Sequence, residues 1–492
     1  MTYKHAIISN MTQIRTRFAP SPTGYIHVGS LRAALFPWLL ARQNNGKFIL
    51  RIEDTDRSRF VEGAEEKIYE TLSWLGIDWD EGPIANGKEK GKFGPYHQTE
   101  RREIYLEWAK KLIDKDLAYA DPYTPEQVQA FRDEAKAKKE AFLYRNYRPK
   151  NPPKWDGTQP LRFKVPEIKR YTWQDPIMGE LSAGPEALDD FILIKSDGLP
   201  TYNFAHIVDD FEMEITHVIR GAEYIASTPR YLSLYDALEI KPPVLACSPH
   251  IMAPSGNKKL GKRDGAKSAD EYRKEGILPE AMMSFLASLG WNDGTEQEIF
   301  TKEELIKKFK LDRVQKSGAR FDEKRLIWMN GQFIRNLNLD NLYERCQLFW
   351  GKEANSADVI YKKQVLALAQ DRLKTLQDLP ALTNYFFSEP KINLDLILNN
   401  KQLKKLTSEE QKKLLQISCD ELNKINDWTS ENIQNCLNTL LEITNQKPGI
   451  LFSLIRIATT WAQFSPQLND TLALLGKDKS LDRLNLAIKN IA

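Results

Sequence analysis

Strand and helix signals alternate in the opening part of the chain, and this order limits the folds that the chain can adopt. Residues 16–19 could end a strand, and residues 31–42 indicate a helix because they contain only one helix breaker, a proline. The short apolar run 48–52 indicates a second strand, and apolar residues at helical spacing follow in 64–75. A strand–helix–strand–helix order is typical of a parallel sheet covered by helices.

The alternation is interrupted between about Pro95 and Pro200. This stretch contains a predicted helix at 99–115, a helix start at Thr124 and a Pro-rich, basic run at 144–169. Strand signals resume at 191–194, 215–219 and 244–251. We therefore predict that an inserted domain splits the parallel sheet.

The chain from about Ser268 onward is predicted to be entirely helical. Capping-box patterns, in which Ser or Thr is followed three residues later by Glu, recur at Ser268, Thr301 and Thr407. A chain of 492 residues is too long for one hydrophobic core. Typical domain sizes predict roughly three to five domains.

Composition narrows the class of protein. With 41% hydrophobic and 28% charged residues, the chain is typical of globular proteins. No apolar run approaches the roughly 20 residues of a membrane span, and the N-terminus lacks the apolar core of a secretory signal, so we expect a cytoplasmic protein without membrane contact. The four cysteines form no CxxC pair, so we expect no protein-bound zinc. A net charge of +3 neither demands nor excludes a nucleic-acid partner.

A loop rich in proline and glycine, residues 17–30, follows the first predicted strand and opens the first helix. Open α/β sheets bind ligands at the carboxyl ends of their strands, and the N–H groups of a helix N-terminus favour phosphate. Gly29 leaves room for a flat ring such as adenine, and His27 can donate a hydrogen bond to a phosphate oxygen. The alternative is an ordinary turn in which His27 caps the helix.

Two segments carry a family resemblance. Ala-Pro-Ser-Pro-Thr-Gly at 19–24, with His27-Val-Gly-Ser30, resembles the first signature of the class I aminoacyl-tRNA synthetases, in the glutamyl and glutaminyl branch. Arg-Ile-Glu-Asp-Thr-Asp-Arg at 51–57 is similar to the same branch. The resemblance covers nearly the whole chain and is to the bacterial-type glutamyl-tRNA synthetases. It implies an α/β fold, a split Rossmann-like catalytic domain with an inserted domain, followed by all-α stem-contact and anticodon-binding domains.

The resemblance implies a site for glutamate. In that family pattern Glu53 holds the amino group, and Arg17 and Arg220 hold carboxylates, for which the fork of arginine is well suited. The remaining residues of this implied site are Ala19, Ser21 and Tyr202. Two plain alternatives stay open: Glu53 could pair with Arg51, and either arginine could lie on the surface.

The run 258–266, Lys-Lys-Leu-Gly-Lys-Arg-Asp-Gly-Ala, follows the last predicted strand. A mobile cationic loop can close on a triphosphate and stabilise departing pyrophosphate, although a basic loop can equally be a solvated turn. The run resembles the second class I signature, with Gly261 where most relatives carry serine. The resemblance implies that His27 and Lys262 are catalytic. It implies ATP binding by His27, Gly29, Arg59, Lys259, Leu260 and Lys262.

The helical half resembles tRNA-binding regions. Residues 321–332 resemble the domain that touches the tRNA stem, and an amphipathic helix would explain them as well. The tail resembles the bacterial anticodon-binding region. Arg372, in Asp-Arg-Leu-Lys-Thr-Leu, matches an arginine that tests the last anticodon base; the alternative is a solvated arginine on a helix face.

The resemblance predicts a full domain plan. The predicted segments are a tail at 1–12, the catalytic first half at 13–94, an inserted acceptor-end-binding domain at 95–200, the catalytic second half at 201–255, a stem-contact domain with the lysine loop at 256–336, and helical anticodon-binding domains at 337–388 and 389–492. Met11 is an alternative start.

The implied activity is ATP-dependent ligation of glutamate to the 2′-hydroxyl of the terminal adenosine of tRNA(Glu), by a monomer, with Mg²⁺ accompanying ATP.

Four alternatives remain. A short paralogue that glutamylates a modified tRNA base would lack the helical tail, and other adenylyl-transferring enzymes are shorter and lack the 51–57 motif. A non-enzymatic RNA-binding protein would not need both His27 and Lys262. A glutaminyl enzyme would be expected to carry β-barrel anticodon domains. Charging of tRNA(Gln) in addition to tRNA(Glu) stays open.

The lysine loop yields a first prediction. Replacing Lys262 by alanine should lower glutamate activation far more than it weakens glutamate binding, because the side chain is expected to act on the charge of the leaving pyrophosphate. Pyrophosphate exchange in the presence of tRNA measures activation, and the concentration dependence on glutamate measures binding. Near-normal exchange by Lys262→Ala would contradict the assignment.

Overall fold

The computed structural model describes residues 13–24, 26–256, 258–261 and 267–491. The chain divides into two compact units. The first unit runs to Glu271 and includes Met282–Asp322, and the second contains Tyr272–Ala281 and the chain from Glu323 onward. The predicted catalytic residue Lys262 and the predicted tail at 1–12 lie outside the described residues.

Short strands are confined to the first unit in the part of the chain that the structure describes. They are β1 Arg15–Phe18, β2 Lys47–Leu50, β3 Gly82–Ile84, β4 Lys88–Lys90, β5 Ala118–Ala120, β6 Leu161–Phe163, β7 Tyr171–Asp175, β8 Gly179–Ala183, β9 Ile192–Ile194, β10 His217–Gly221, β11 Val244–Ser248, β12 Ile251–Met252 and β13 Ala319–Arg320.

Helices occur along the whole described chain. They are α1 Val28–Gln43, α2 Ala64–Leu75, α3 Arg102–Asp114, α4 Pro125–Ala137, α5 Tyr202–Glu212, α6 Thr228–Leu238, α7 Ala269–Lys274, α8 Pro279–Ser288, α9 Lys302–Lys308, α10 Glu323–Asn336, α11 Leu339–Arg345, α12 Val359–Ala369, α13 Leu379–Phe387, α14 Asp395–Leu398, α15 Ser408–Asn423, α16 Ser430–Thr444, α17 Pro448–Thr460, α18 Leu468–Leu475 and α19 Lys477–Asn490. None of these described helices is both long and apolar enough to span a membrane.

The central sheet has the strand order β11-β10-β1-β2, and its strands are all parallel. β1 and β2 pair in register from Arg15↔Lys47 to Phe18↔Leu50, and β10 pairs with β11 over five residues. β1 and β10 are neighbours although the predicted inserted domain separates them along the chain. The predicted split parallel sheet is therefore confirmed.

The insertion contains its own sheets. β5, β6 and β9 form an antiparallel three-stranded sheet, and β7 pairs with β8 as a hairpin. The prediction that residues 191–194 resume the parallel alternation was wrong, because Ile192–Ile194 is a strand of this antiparallel sheet. A three-residue apolar run carries no information about its partner strand.

Two further predictions near the end of the first unit need correction. The predicted strand 244–251 ends at Ser248, and Pro249 follows, which has no N–H to donate to a ladder. Ile251–Met252 instead pairs with Ala319–Arg320, so the chain after Ser268 is not entirely helical. The two paired segments are far apart along the chain, and each is too short to show the alternation of apolar and polar residues that predicts a strand.

The predicted helix starts are confirmed. Thr301 and Thr407 each accept a hydrogen bond from the backbone of the Glu three residues on, and that Glu bonds back to the Thr N–H. Ser268 and Glu271 make the same reciprocal pair. Each cap stabilises its helix by about 1 kcal/mol because it satisfies N–H groups that have no partner within the helix. The residues that form the cap therefore mark the start of the helix in the sequence.

A histidine joins two elements at the edge of the central sheet. His97 Nε2 lies 2.9 Å from Glu65 Oε1 on α2, and its Nδ1 lies 3.5 Å from Glu89 on β4. The hydrogen bond to Glu65 raises the pKa of His97 to about 9. The imidazole is therefore a cation at neutral pH, and it links α2 to the β3–β4 hairpin.

This ion pair predicts a pH dependence of stability. An unfolded histidine has a pKa of about 6.5, so the contribution is complete below about pH 6.5 and is lost as the pH rises through about 9. With solvent screening, we expect the wild type to lose about 1–2 kcal/mol more than His97→Gln between pH 6 and 9.5. Urea unfolding at both pH values tests this; equal losses in the two proteins would contradict it.

Candidate active site

A cavity of about 810 Å³ lies where the strands of the central sheet end. Its lining includes the residues that follow β1, β10 and β11, which is the edge at which parallel sheets bind ligands. The sequence-predicted residues that line it are Arg17, Ala19, Ser21, His27, Gly29, Glu53, Arg59, Tyr202, Arg220, Lys259 and Leu260. Residues from five separate stretches of the chain therefore meet in one cavity.

The loop between β1 and α1 forms one wall. Its backbone is held by the N–H of Thr23, which donates to Ser21 O at 2.8 Å, and by the N–H of Glu53, which donates to Pro20 O at 2.9 Å. α1 begins at Val28, and a side chain added at Gly29 would meet open space. The helix N-terminus and the flat surface at Gly29 thus both border the cavity. His27 occupies the N-cap position of the helix, as the plain alternative expects, but its side chain makes no capping hydrogen bond.

Glu53 lies three residues after β2 and pairs with Arg51. Arg51 Nη2 donates to Glu53 Oε1 at 3.1 Å, and both residues are buried. Burial raises the pKa of Glu53, and the charges of Arg51 and Arg17 oppose that shift. The plain alternative for Glu53 is therefore correct as a contact. It does not remove Glu53 from the site, because the carboxylate also borders the cavity.

Two adjacent carboxylates on α5 complete this charge cluster. Asp210 accepts from Arg51 at 2.9 Å and pairs with Arg17 at 3.2 Å. Asp209 accepts from Arg101 at 2.7 Å and lies 3.5 Å from Arg51. Burial alone would raise the pKa of Asp210, but Arg17 and Arg51 lower it, so the carboxylate stays charged.

Sequence reasoning missed this cluster. Asp209 and Asp210 stand at the end of an otherwise apolar helical run, and two buried acids in such a run are a signal that basic partners face them. Arg51 was treated only as a possible partner of Glu53, and it proves to contact three carboxylates. We define Arg17, Arg51, Arg101, Glu53, Asp209 and Asp210 as the buried charge cluster.

Arg220 is in a different situation. It is the penultimate residue of β10, is only 6% exposed, and lies over the rings of Tyr224 and Tyr231 at 5.0 and 4.9 Å. Its Nη2 is 3.5 Å from Thr228 Oγ1, while Nε and Nη1 have no hydrogen-bond partner within the described parts of the chain. A buried guanidinium with unused donors beside a cavity is suited to bind an anion such as a carboxylate.

Tyr202 begins α5 and forms the wall beside Arg220. Its ring lies 5.7 Å from that of Tyr224 and 4.8 Å from that of His206. Burial and the nearby charge of Glu53 raise the pKa of Tyr202, so the phenol keeps its proton. A neutral hydroxyl in this wall can donate to an anionic ligand.

The lysine loop contributes its first half to the cavity. Lys259 Nζ lies 2.9 Å from Glu223 Oε1, and both residues line the cavity with Leu260 and Gly261. The N–H of Leu260 donates to Ile251 O at 2.8 Å, which holds this part of the loop beside β12. Glu223 was not predicted; it follows Arg220 by three residues, where a single acid gives no signal by itself.

Arg372 belongs to the second unit and is exposed on a 3-10 turn, Gln370–Arg372. Burial lowers the pKa of Arg456, and the nearby positive charge of Arg372 lowers it further. Arg456 Nε donates to Ser465 Oγ at 3.0 Å. Two arginines therefore stand together in this unit, where the sequence singled out one.

One group of three possible metal ligands occurs in the described part of the chain. Glu89, His97 and Glu100 have donor atoms within 4.8 Å of one another. His97 is already charged through Glu65, and a metal would have to displace that proton. The arrangement is explained by the ion pair between α2 and the hairpin.

Known proteins resemble the chain along its length. The family "tRNA synthetases class I (E and Q), catalytic domain" matches residues 13–328, and an anticodon binding domain family matches 341–488. Glutamate–tRNA ligases of Dehalococcoides mccartyi and Clostridium botulinum are each 40% identical over 488 residues, covering 98% and 97% of this chain and 98% and 99% of theirs.

Solved structures agree with these matches. The crystal structure of a glutamate tRNA ligase from Elizabethkingia meningosepticum, in complex with its amino acid, has a TM-score of 0.84 and 33% identity, covering 98% of this chain and all of that one. A glutamate-tRNA synthetase from Elizabethkingia anophelis has a TM-score of 0.82 and 32% identity, covering 97% of this chain. The resemblance predicted from the two signatures is confirmed, and the chain belongs to the class I tRNA synthetases of the E and Q group.

Proposed function

We propose that the chain is a glutamate–tRNA ligase that activates glutamate with ATP and transfers it to the terminal adenosine of tRNA(Glu). The observation that carries the proposal is Arg220, a buried guanidinium with two unused donor atoms, in the same cavity as a helix N-terminus and a lysine. The first feature suits an acidic amino acid and the others suit phosphate. The names of the full-length relatives support the same substrate.

Glutamate would bind between the two arginines. Arg220 would hold one carboxylate through an unused donor of its guanidinium, and Arg17 would hold the other. Arg17 already pairs with Asp210 through Nε and Nη2, which fixes the direction of its fork and leaves Nη1 for a ligand. Glu53 supplies the negative charge that an amino group requires, while Ala19, Ser21 and Tyr202 border the same space.

ATP would bind beside the amino acid, along the loop before α1. Its phosphates would meet the N-terminus of α1, with His27 and Lys259 as side-chain donors, and its base would lie against Gly29 and Leu260. Arg59 stands exposed at the border of the cavity. Lys259 would exchange its contact with Glu223 for a phosphate. We assign the main catalytic charge to Lys262 by the family signature.

The chemistry would take two steps. The α-carboxylate of glutamate attacks the α-phosphorus of ATP, forming glutamyl-adenylate and releasing pyrophosphate. The 2′-hydroxyl of the terminal adenosine then attacks the acyl carbon, and AMP leaves. The chain contributes position and positive charge, which act strongly in a cavity shielded from water. Mg²⁺ would arrive with ATP and neutralise phosphate charge, and the carboxylates of Asp56 and Glu223, which line the cavity, are ligands of the type it prefers.

The tRNA would contact several of the predicted domains: the acceptor end at 95–200, the stem at 256–336 and the anticodon at 337–388 and 389–492. The match of 341–488 to an anticodon binding domain family supports the last assignment and counts against a short paralogue without that region. Arg372, together with Arg456, would read the anticodon. The monomeric state and cytoplasmic location stay predictions.

Charging assays test the proposal. Purified tRNA(Glu) and tRNA(Gln) are each incubated with the protein, ATP and labelled glutamate. We expect acid-precipitable label on tRNA(Glu), and none when labelled glutamine replaces glutamate. Label on tRNA(Gln) as well would widen the tRNA specificity, and no label on either tRNA would overturn the proposal.

Arg220→Lys isolates the amino-acid site. Lysine keeps the charge but loses the two donors of the fork, so the KM for glutamate should rise about 100-fold while the KM for ATP changes little. Arg230→Lys is the matched control, because Arg230 lies on α6, donates to Ala187 O and does not line the cavity. An equal rise in both KM values, or no rise for glutamate, would remove Arg220 from the glutamate site.

A further inference from the structure

Two adjacent apolar side chains are exposed beside the cavity. Phe60 is 55% exposed and Val61 is 45% exposed. They belong to residues 57–63, which we name the rim segment, between β2 and α2. Arg59 and Ile68, on either side of the pair along the chain, line the cavity, whereas Phe60 and Val61 do not. The pair therefore lies at the border of the cavity and faces solvent.

The backbone of the rim segment is held in place. It begins with the 3-10 turn Arg57–Arg59, and the N–H of Val61 donates to Pro22 O at 3.0 Å, in the loop before α1. Gly63 has a φ of 75°, a conformation that favours glycine, and it turns the chain into α2. Phe60 is thus presented by a backbone that is fixed on both sides.

The rim segment also adjoins the end of the insertion. Lys195, in the turn after β9, donates from Nζ to Thr55 O at 3.0 Å and to Asp197 at 2.9 Å. Burial would raise the pKa of Asp197, but its hydrogen bond to Lys195 and the nearby charge of Arg57 lower it. The rim segment therefore lies between the cavity on one side and the insertion on the other.

The surface at Phe60 offers a flat ring rather than a strong field. The charges of Arg57 and Arg59 are offset by those of Asp56 and Glu62, which are exposed beside them. Two apolar side chains are also too few for the core of a protein–protein interface, which takes roughly 800 Å² from each partner. A single unpaired base fits them, because every base has a flat face that stacks on an aromatic ring.

We propose that Phe60, flanked by Val61, is a stacking platform for an unpaired nucleotide at the 3′ end of tRNA. The 2′-hydroxyl of the terminal adenosine has to enter the cavity, while the insertion is the predicted contact of the acceptor end. The unpaired nucleotides then pass over the rim segment, where the ring holds one base outside the cavity. The inference rests on the proposed function, because it names a contact of the tRNA partner.

Binding of two forms of tRNA(Glu) tests the platform. One is intact, the other has lost its unpaired 3′ nucleotides, and each carries a fluorophore at its 5′ end for anisotropy. For Phe60→Ala we expect the Kd of intact tRNA to rise about tenfold, the loss of one stacked base, and the Kd of shortened tRNA to stay unchanged. The rise should be the same at low and high salt, because stacking neutralises no phosphate.

Three further variants separate the ring from its bulk and its exposure. Phe60→Tyr keeps a flat ring and should bind like wild type, whereas Phe60→Leu keeps an apolar side chain without a flat face and should bind like Phe60→Ala. Phe211→Ala is the matched control, because Phe211 is 43% exposed on α5 and does not line the catalytic cavity. In charging assays, Phe60→Ala should raise the KM for tRNA and leave the KM values for ATP and glutamate within about twofold of wild type.

Three results would overturn the inference: an unchanged Kd of intact tRNA in Phe60→Ala, an equal rise for intact and shortened tRNA, or a loss in Phe60→Tyr as large as in Phe60→Ala. If Phe60→Ala does not fold, as judged by circular dichroism, weaker binding of intact tRNA by Phe60→Leu than by Phe60→Tyr supports the inference, and equal binding by those two overturns it. A wild type that neither binds nor charges tRNA(Glu) would instead overturn the proposed function.

Discussion

The buried charge cluster is the interaction on which the rest of the catalytic unit depends. Arg17 on β1, Arg51 and Glu53 after β2, Arg101 before α3, and the two aspartates of α5 carry three positive and three negative charges in the interior. Because α5 follows the insertion, these ion pairs join the two halves of the split sheet. Such a cluster contributes little net stability when complete, but removing one member leaves an unpaired buried charge, at a cost of about 3–5 kcal/mol.

The same cluster determines which arginine charges at the cavity are neutralised by carboxylates and which are left unpaired. Asp209 and Asp210 occupy Arg51 and Arg101 and hold Arg17 by one edge of its fork. No described carboxylate pairs with Arg220, whose neighbours are tyrosine rings and a threonine hydroxyl. The charges of the buried charge cluster are thus balanced within the fold. The unpaired charge of Arg220 lines the cavity that an acidic substrate would enter. Glutamate would complete the charge pairing that folding leaves open.

The helices were predictable because their signals are local. The capping boxes at Thr301 and Thr407 start helices where expected, since one side chain and one backbone N–H three residues away suffice. The strands at 191–194 and 244–251 were misassigned because a strand's partner lies far away along the chain. β1 shows the same limit: Arg-Thr-Arg-Phe is buried throughout, and its arginines are tolerated only because Glu81 and Asp210 face them.

The signatures at 19–30, 51–57 and 258–266 were sufficient to predict the family and several residues of the cavity, because loops that approach phosphate and carboxylate need particular residues at particular spacings. The alternation of strand and helix signals predicted the split sheet. The charges and partners of the cavity residues were not predictable. Glu53 pairs with Arg51, Arg17 with Asp210, and His206 lies between the Tyr202 ring and Asp210. These contacts join residues up to 193 positions apart in the sequence. They matter because the side chains are buried, where an unpaired charge is costly, and burial arises only when the chain has folded.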